Sequence, residues 1–454
     1  MTQLEFLQGK KILVLGLGAT GLSCARFLTS QGLIFSVNDS RNNPPGSNRL
    51  ADLNPAAQLI TGYWDSEAIA NADVIIASPG VDINIDAIAS HRQQDSALIG
   101  DVELYCQLLN QQAEQGNKTT NVIAVTGSNG KSTVVSLLAH MSDVCGIKSV
   151  LAGNIGVPVL DVVNQADDTV ILELSSFQLE TMSSMRAIAA TVLNISDDHL
   201  DRHKTLANYQ NIKHKIYDQA QVQVLNRQQQ ISQPRTINNN AISFGLDQPE
   251  TGHFGIRVEN ARRYLCFGEQ QLLACEHLPL VGLHNELNCL AALALGYAAN
   301  WPLTAMTNAL KSFEGLEHRC KQVTSNDGII WVNDSKATNI GATIAAIKGL
   351  ATHDKNLTLI AGGDGKGADF SELAPVLTKY VTQLITLGKD GPQIAQLLSN
   401  SLEVNTLTEA VAKAREIAKP SDIVLLSPAC ASIDMFENYM QRGEQFITAV
   451  RESY

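Results

Sequence analysis

The residues best suited to chemistry lie in Asn121 to Thr133, NVIAVTGSNGKST. A short apolar run enters a turn made of Gly127, Ser128, Asn129 and Gly130. Lys131, Ser132 and Thr133 then open an apolar helical pattern that reaches about Gly146. Strand, glycine turn, lysine–hydroxyl pair and helix are the parts of a phosphate-binding loop. Glycine lets backbone N–H groups approach an anion with no Cβ in the way, and the helix N-terminus adds partial positive charge. Lys131 is placed to reach the outer phosphates, and the Ser132 hydroxyl to hold Mg2+. The pattern is Thr-Gly-x-x-Gly-Lys-Ser-Thr, with Val125 where the commoner form has its first glycine, so this loop is tighter. It predicts nucleoside triphosphate binding and leaves the reaction open.

Further polar groups stand at the ends of apolar runs. SVLAGN (149–154), TVILELSS (169–176) and ATVLNISDDHLDRH (190–203) each read as a strand with polar residues at its C-terminal end. Ligands of parallel α/β sheets bind at those ends, so Asn154, Glu173, Ser175, Asp198 and His199 are expected near Lys131. A carboxylate flanked by apolar strand residues, as Glu173 is, is costly unless paired or on a metal. Glu173 and His199 suit a Mg2+ ion that bridges phosphates, although His199 reads about equally well as a surface histidine. Lys213 and Lys215 lie on a polar helical stretch, 208–220, that also reads as a solvated face. Asn285 and Asn288 share one face of a helix over 281–299.

Two other segments carry turn chemistry. Gly16-Leu17-Gly18-Ala19-Thr20-Gly21 follows the strand 11–18 and precedes an amphipathic helix, and Asp39 ends the next strand, FSVNDS. That is the G-x-G-x-x-G fingerprint in its proper place. It reads first as a nicotinamide or flavin site, and second as a nucleotide-diphosphate site without redox chemistry. The phosphate loop at 127 weighs against the first. Near the C-terminus, Asn333-Asp334-Ser335-Lys336, Gly363-Asp364-Gly365-Lys366 and Ser427-Pro428-Ala429-Cys430 close three apolar runs. Each alone reads as a turn; together on one sheet edge they read as a site.

The elements that must position these groups form an α/β protein of three units, each with a mainly parallel sheet. Residues 1–99 are Rossmann-like, 100–300 are P-loop ATPase-like, and 301–454 are Rossmann-like after Trp301-Pro302. In the third unit strands are expected at 329–335, 357–363, 383–388 and 422–429, with helices at 339–350, 370–380, 392–400 and 406–418. A chain of 454 residues exceeds one core. With 44% hydrophobic and 17% charged residues it reads as soluble and globular. The net charge of −12 argues against nucleic acid or an anionic membrane as partner. The eight cysteines are scattered, with no C-x-x-C pair, which fits a reducing compartment. No apolar run is long enough to cross a bilayer, and Asn117-Lys118-Thr119 is then an idle glycosylation match.

Taken together, TGSNGKST (126–133), GNIG (153–156), LELSSFQLE (172–180), NISDDHLDRH (194–203), HNELN (284–288), EHR (317–319), NDSKATN (333–339) and GGDGK (362–366) resemble the Mur ligase family. These are the ATP-dependent ligases that build the peptide of bacterial peptidoglycan precursors. The resemblance covers nearly the whole chain. NDSKATN and SPACASID (427–434) are similar to the branch that adds D-glutamate.

The resemblance implies that GLGATG cradles a UDP diphosphate. Gly18, Ala19, Thr20, Asp39, Ser40, Arg41, Ser78 and Gly80 would line the UDP site, with Asn154 and His199 also facing the UDP-substrate. It implies ATP contacts from Gly127 to Thr133 and from Asn285, Asn288, Arg319 and Asp334. D-Glutamate contacts fall to Thr338, Lys366, Ser427 and Phe436. Catalytic roles fall to Lys131, Glu173, His199, Lys213 and Lys336. Two Mg2+ sites would use Ser132, Glu173, His199 and a carbamylated Lys213, matched through IKHKIY. The implied reaction makes an acyl phosphate on the L-alanine carboxylate of UDP-N-acetylmuramoyl-L-alanine, and the D-glutamate amine then attacks it. The implied enzyme is a monomer of the bacterial cytoplasm. Because ATP groups come from two units, closure of the third unit onto the second is expected to assemble the site.

Overall fold

The computed structural model describes residues 5–117, 120–163, 165, 168–280, 282–351 and 355–452. Lys118 and Thr119 of the glycosylation match, and Val281 at the head of one expected helix, lie outside them. Three sheets form, in chain order. The first joins β1 (Ile12–Leu15), β2 (Phe35–Asp39), β3 (Gln58–Thr61), β4 (Val74–Ala77) and β5 (Ala97–Ile99) in the order β3-β2-β1-β4-β5. All its pairings are parallel. β1 and β4 are buried along their whole length, as expected of parallel strands covered by helices on both faces.

The second sheet holds β6 (Asn121–Thr126), β7 (Ser149–Gly153), β8 (Thr169–Glu173), β9 (Ala189–Val192), β10 (Val222–Asn226), β11 (Ile242–Phe244), β12 (Phe254–Glu259), β13 (Arg262–Phe267) and β14 (Gln270–Ala274). Its order is β14-β13-β12-β11-β10-β9-β6-β8-β7. The register sets Val125 and Gly153 on either side of Glu173, and Thr126 beside Val192. The C-terminal ends of four strands therefore meet in one row. β12 to β14 form an antiparallel arm that the sequence reading does not place. The expected strand over 190–203 stops at Val192. Beyond it the chain is a loop that ends in the short helix Leu200–His203.

The third sheet joins β15 (Lys321–Val323), β16 (Ile330–Asn333), β17 (Leu357–Gly362), β18 (Gln383–Leu387), β19 (Ser401–Glu403) and β20 (Ile423–Leu426) in the order β15-β16-β20-β17-β18-β19. Only β15 runs antiparallel. Leu426 pairs with both Asn333 and Ile360, so the three polar strand ends expected to share an edge do so. The helix expected at 392–400 shortens to Gly391–Ala395, because Ser401–Glu403 is taken up as an edge strand.

The cores divide unevenly. One apolar cluster runs from Leu7 through Leu108 and Leu172 to Leu225, so the first and central units share it. A second lies around the helix Leu283–Ala298 and takes in Trp301, Met306, Ala309, Leu310 and Phe313, so the central core runs past residue 300. The third unit has its own clusters on the two faces of its sheet. Phe446 is fully buried in one of them and meets the Trp331 ring edge-on, with centroids 6.0 Å apart. Phe446→Ala is expected to destabilise the third unit by about 3–5 kcal/mol. Calorimetry should show one melting transition move down while the transition of the first and central units stays in place.

Candidate functional site

The phosphate loop lies where β6 turns into the helix Lys131–Val144. Gly130 turns it with φ +85°, and a Cβ there would stand 2.6 Å from Asn288 Oδ1, so only glycine fits. Asn194 grips the loop from behind. Its Oδ1 accepts the Asn129 N–H at 2.8 Å, and its Nδ2 donates to the Asn129 carbonyl at 2.9 Å. The Ser128 N–H donates to the Asn194 carbonyl at 2.9 Å. This corrects the expected cradle: the N–H groups of Ser128 and Asn129 hold the loop together. The donors left for an anion are those of the N-cap Gly130 and of the first helical turn, Lys131 to Thr133, for which no carbonyl partner stands among the described residues.

Two cations of the third unit converge on the Ser132 hydroxyl of the central unit. Arg319 Nη2 lies 3.0 Å from Ser132 Oγ, and Lys336 Nζ 3.1 Å from it. Lys131 Nζ folds back on the carbonyls of Gly127 (2.7 Å) and Ser128 (2.9 Å). Burial, with Arg319 beside it, brings Lys336 down to about 8. Burial also lowers the Lys131 pKa. The Glu173 carboxylate faces this charge: it is buried, its Oε1 accepts from Asn154 Nδ2 at 2.7 Å, and its Oε2 has no hydrogen-bond partner among the described residues. A bare, buried carboxylate oxygen beside a phosphate loop fits a divalent cation. Among the described residues no three His, Cys, Asp or Glu side chains form a metal cluster. Phosphate or water oxygens must therefore complete the shell of an ion at Glu173.

Lys213 settles which lysine of its helix faces inward. It is 1% exposed, and its Nζ donates to Thr126 Oγ1 (3.2 Å) and the Gly127 carbonyl (3.1 Å). The Tyr209 ring, one helical turn earlier, lies 4.6 Å from the nitrogen. Burial first, then the Lys131 charge, drives its pKa well below the ordinary lysine value. Lys215 instead donates to the Glu180 carbonyl at 2.7 Å.

His199 sits at a left-handed turn (φ +53°) before Leu200–His203. Its ring meets the Phe177 edge, with centroids 4.8 Å apart, and Phe177 also stacks on His203. Arg202 lies over Phe177 and pairs with both Glu180 and Asp82. The loop that follows Ser78 and Gly80 is thereby tied to the segment that carries His199. Burial holds His199 below its usual pKa, and the charges of Lys366 and Lys131 add to this against Asp198. The structure does not bring Ser175 into the site as expected: it caps the helix Ser176–Glu180 in a capping box with Gln178.

One cavity of about 470 Å³ collects Ser128 to Thr133, Asn154, Glu173, Asp198 and His199 with Asn285, Asn288, Arg319, Asp334, Lys336 and Thr338. Gly127 lies just behind it, under the two lysines. Asp334 is buried and pushed up to about 6 by that burial; Ser427 Oγ donates to its Oδ2 at 2.8 Å. Ser427 thus stands behind Asp334 rather than on the cavity wall. Phe436 is also off the wall, packed against the third unit's core. The aromatic residue that does line the cavity is Tyr439, with Lys336 Nζ 5.1 Å from its ring. Asn194 and Tyr439 are the groups that sequence reasoning leaves unassigned. The signals for them are an asparagine at a strand end and a second aromatic one turn after Phe436. Lys366 is exposed on a turn with φ +52°.

The glycine loop of the first unit stands apart from this cavity. Gly18, Ala19 and Thr20 open the helix Ala19–Ser30. Ser78 Oγ donates to the Gly16 carbonyl at 3.0 Å. Ser40, Arg41 and Gly80 are exposed. Asp39 is buried, and its two oxygens accept from the Leu17 N–H (2.7 Å), the Arg41 N–H (2.9 Å) and the Arg41 guanidinium (2.6 and 2.9 Å). Burial works to raise its pKa, but these donors win and hold it below the usual carboxylate range. An acid so occupied is not free for a dinucleotide ribose.

The first unit matches the Mur ligase MurD-like N-terminal domain over residues 10–100. The Mur ligase middle domain matches 125–296, and the Mur ligase glutamate ligase domain matches 318–430. The UDP-N-acetylmuramoylalanine–D-glutamate ligase of Colwellia psychrerythraea is 53% identical, over 99% of this chain and 98% of its own. That of Idiomarina loihiensis is 44% identical, over 100% and 99%. Among solved structures, the UDP-N-acetylmuramate–alanine ligase MurC of Thermotoga maritima shares the fold with a TM-score of 0.59 at 17% identity, covering 97% of this chain and 98% of that one.

Asn194→Ala removes two hydrogen bonds from the loop, each worth about 1 kcal/mol. It is expected to raise the dissociation constant for ATP about tenfold and to leave UDP binding unchanged, as titration calorimetry with each nucleotide would show.

Proposed function

This chain belongs to the Mur ligase family, and from that premise we infer how its residues divide the reaction. It is an ATP-dependent ligase of peptidoglycan precursor synthesis that adds D-glutamate to UDP-N-acetylmuramoyl-L-alanine, and it uses ATP with Mg2+. The observation that carries the residue assignment is the meeting of Arg319 and Lys336 at Ser132, with Lys131 on the adjoining loop carbonyls and the bare Oε2 of Glu173 in the same cavity.

A carboxylate is a poor electrophile at neutral pH, so the L-alanine carboxylate must first become a mixed anhydride. One carboxylate oxygen attacks the γ-phosphorus of ATP and ADP leaves. The D-glutamate amine then attacks the acyl carbon, phosphate leaves, and the amine proton passes to solvent. Phosphoryl transfer asks the enzyme mainly to position groups and to neutralise charge. The N–H groups of Lys131, Ser132 and Thr133 cradle the phosphates. Lys131 swings from its loop carbonyls to the outer phosphates, and Lys336 holds the γ-phosphoryl group. Asn285, Asn288, Arg319 and Asp334 take the adenosine, with Ser427 fixing Asp334 from behind. Ser132, Glu173, His199 and Lys213 in its carbamylated form would hold Mg2+ at two sites, where it would neutralise phosphate charge. The uncharged amine that carbamylation needs is supported by the burial of Lys213 among carbonyls. Asn154 and His199 face the UDP-substrate. Its diphosphate lies at Gly18 to Thr20 with Ser40, Arg41, Ser78 and Gly80, while Asp39 holds that loop in shape. Thr338 and Lys366 receive D-glutamate, and Phe436 supports their unit from within. Residues 1–99, 100–300 and 301–454 serve as UDP, ATP and amino-acid units. One chain supplies every group named, so a monomer suffices. The eight free cysteines suit the cytoplasm, and among the described residues no helix is long and apolar enough to cross a membrane.

Phosphate release from ATP is expected to require both UDP-N-acetylmuramoyl-L-alanine and D-glutamate; release that is equal with L-glutamate would contradict the reading. Lys213→Ala should lose activity that added short carboxylates partly restore, and wild-type turnover in that variant would remove its role. Lys366→Ala should raise the KM for D-glutamate at least about tenfold through one lost charge-assisted contact, with the KM for ATP unchanged.

A further inference from the structure

The first and central units share an apolar core, whereas beyond Leu316 the third unit's two clusters contain only its own residues. Its seat on the phosphate loop is polar. Two of the contacts there, Arg319 and Lys336 to Ser132, belong to the site already described. A third does not. Asn129 Nδ2 donates to Asn339 Oδ1 at 3.3 Å, and Asn339 Nδ2 donates back to Asn129 Oδ1 at 3.1 Å.

Both partners are held rigidly from behind. Asn194 clamps the Asn129 backbone at its N–H and its carbonyl. Asn339 is the N-cap of the helix Ile340–Leu350, and its Oδ1 also accepts the Ala342 N–H at 2.9 Å. That helix lies close on the central unit at both ends. A Cβ at Gly341 would stand 3.3 Å from Ser196 Oγ and 3.4 Å from Asn129 Nδ2, and one at Gly349 would stand 3.1 Å from His284 Cε1. The same short segment, Lys336 to Asn339, carries the lysine at one end and the amide at the other.

We propose that the Asn129–Asn339 amide pair is the contact that registers the third unit on the phosphate loop. Its two residues are positioning residues that set Lys336 and Arg319 against the γ-phosphate without touching nucleotide. This rests on the reading of the loop as the ATP site. Paired amides suit the task because each offers one donor and one acceptor, so the match is lost on a small slip in either direction. They carry no charge, so the contact survives the arrival of a polyanion that pulls on the cations beside it.

The test uses Asn339→Ser, which keeps a capping oxygen but removes the amide, then Asn129→Ala, and the double variant, all in the full chain. Each single variant is expected to lower kcat about tenfold by reducing the docked fraction, with the KM for D-glutamate within twofold of wild type. The double variant should fall no further than the worse single one, because the two side chains make one contact. Small-angle scattering with a non-hydrolysable ATP analogue and Mg2+ should give a larger radius for the variants than for wild type. Losses that multiply in the double variant, a kcat within twofold of wild type, or an unchanged radius would overturn the proposal. A wild-type chain without ligase activity would instead overturn the functional reading, and the scattering comparison would still judge the pair.

Discussion

Positive charge gathered in a partly buried space with too few counter-ions is the constraint on which this structure turns. Lys131, Lys213, Arg319 and Lys336 surround Ser132 and Gly127, and Glu173, Asp198 and Asp334 are the acids that oppose them. Charges taken out of water need partners. The protein meets this in part by lowering the affinity of its lysines for protons and in part by aiming them at backbone carbonyls. The depressed Lys336 has a definite sign in pH: its unfavourable charged form weighs on stability below about pH 8 and is relieved as pH rises through that value toward the ordinary lysine range. A polyphosphate removes the same penalty at once.

That charge is divided between two bodies. Lys131 and Lys213 belong to a body formed by the first and central units around a shared core. Arg319 and Lys336 belong to a third unit packed on itself. A polyphosphate beside Ser132 would therefore neutralise groups of both bodies at once. The rigid body is itself braced where it matters. Asp161 holds Ser23 and Arg26 across the first and central units, and Arg202 ties Asp82 to Glu180 beside His199.

Much of this was legible in the sequence, and the reasons are local. The phosphate loop announces itself because glycine, lysine and hydroxyl residues must sit at fixed offsets between a strand and a helix. The strand-end rule correctly gathers Asn154, Glu173 and His199. It fails at Ser175, where a local capping bond wins over the ligand edge. The antiparallel arm from Phe254 to Ala274 has short, half-exposed strands with little pattern to read. Lys213 could not be told from Lys215 by composition, and the fold decides it by placing Lys213 one turn after the buried Tyr209. Asn339 was beyond reach for a different reason: its partner Asn129 lies far off in sequence, and an asparagine alone says nothing of what it will pair with.

The most direct measurement is the number of protons exchanged when a non-hydrolysable ATP analogue binds with Mg2+ at pH 8, from calorimetric titrations in buffers of different ionisation enthalpy. Net uptake on the order of half a proton per nucleotide is expected, as Lys336 regains its charge beside the phosphates. The uptake is expected to disappear in Lys336→Arg. Binding with no proton exchange, or with net release, would contradict the claim that the polyphosphate is the counter-ion this site lacks.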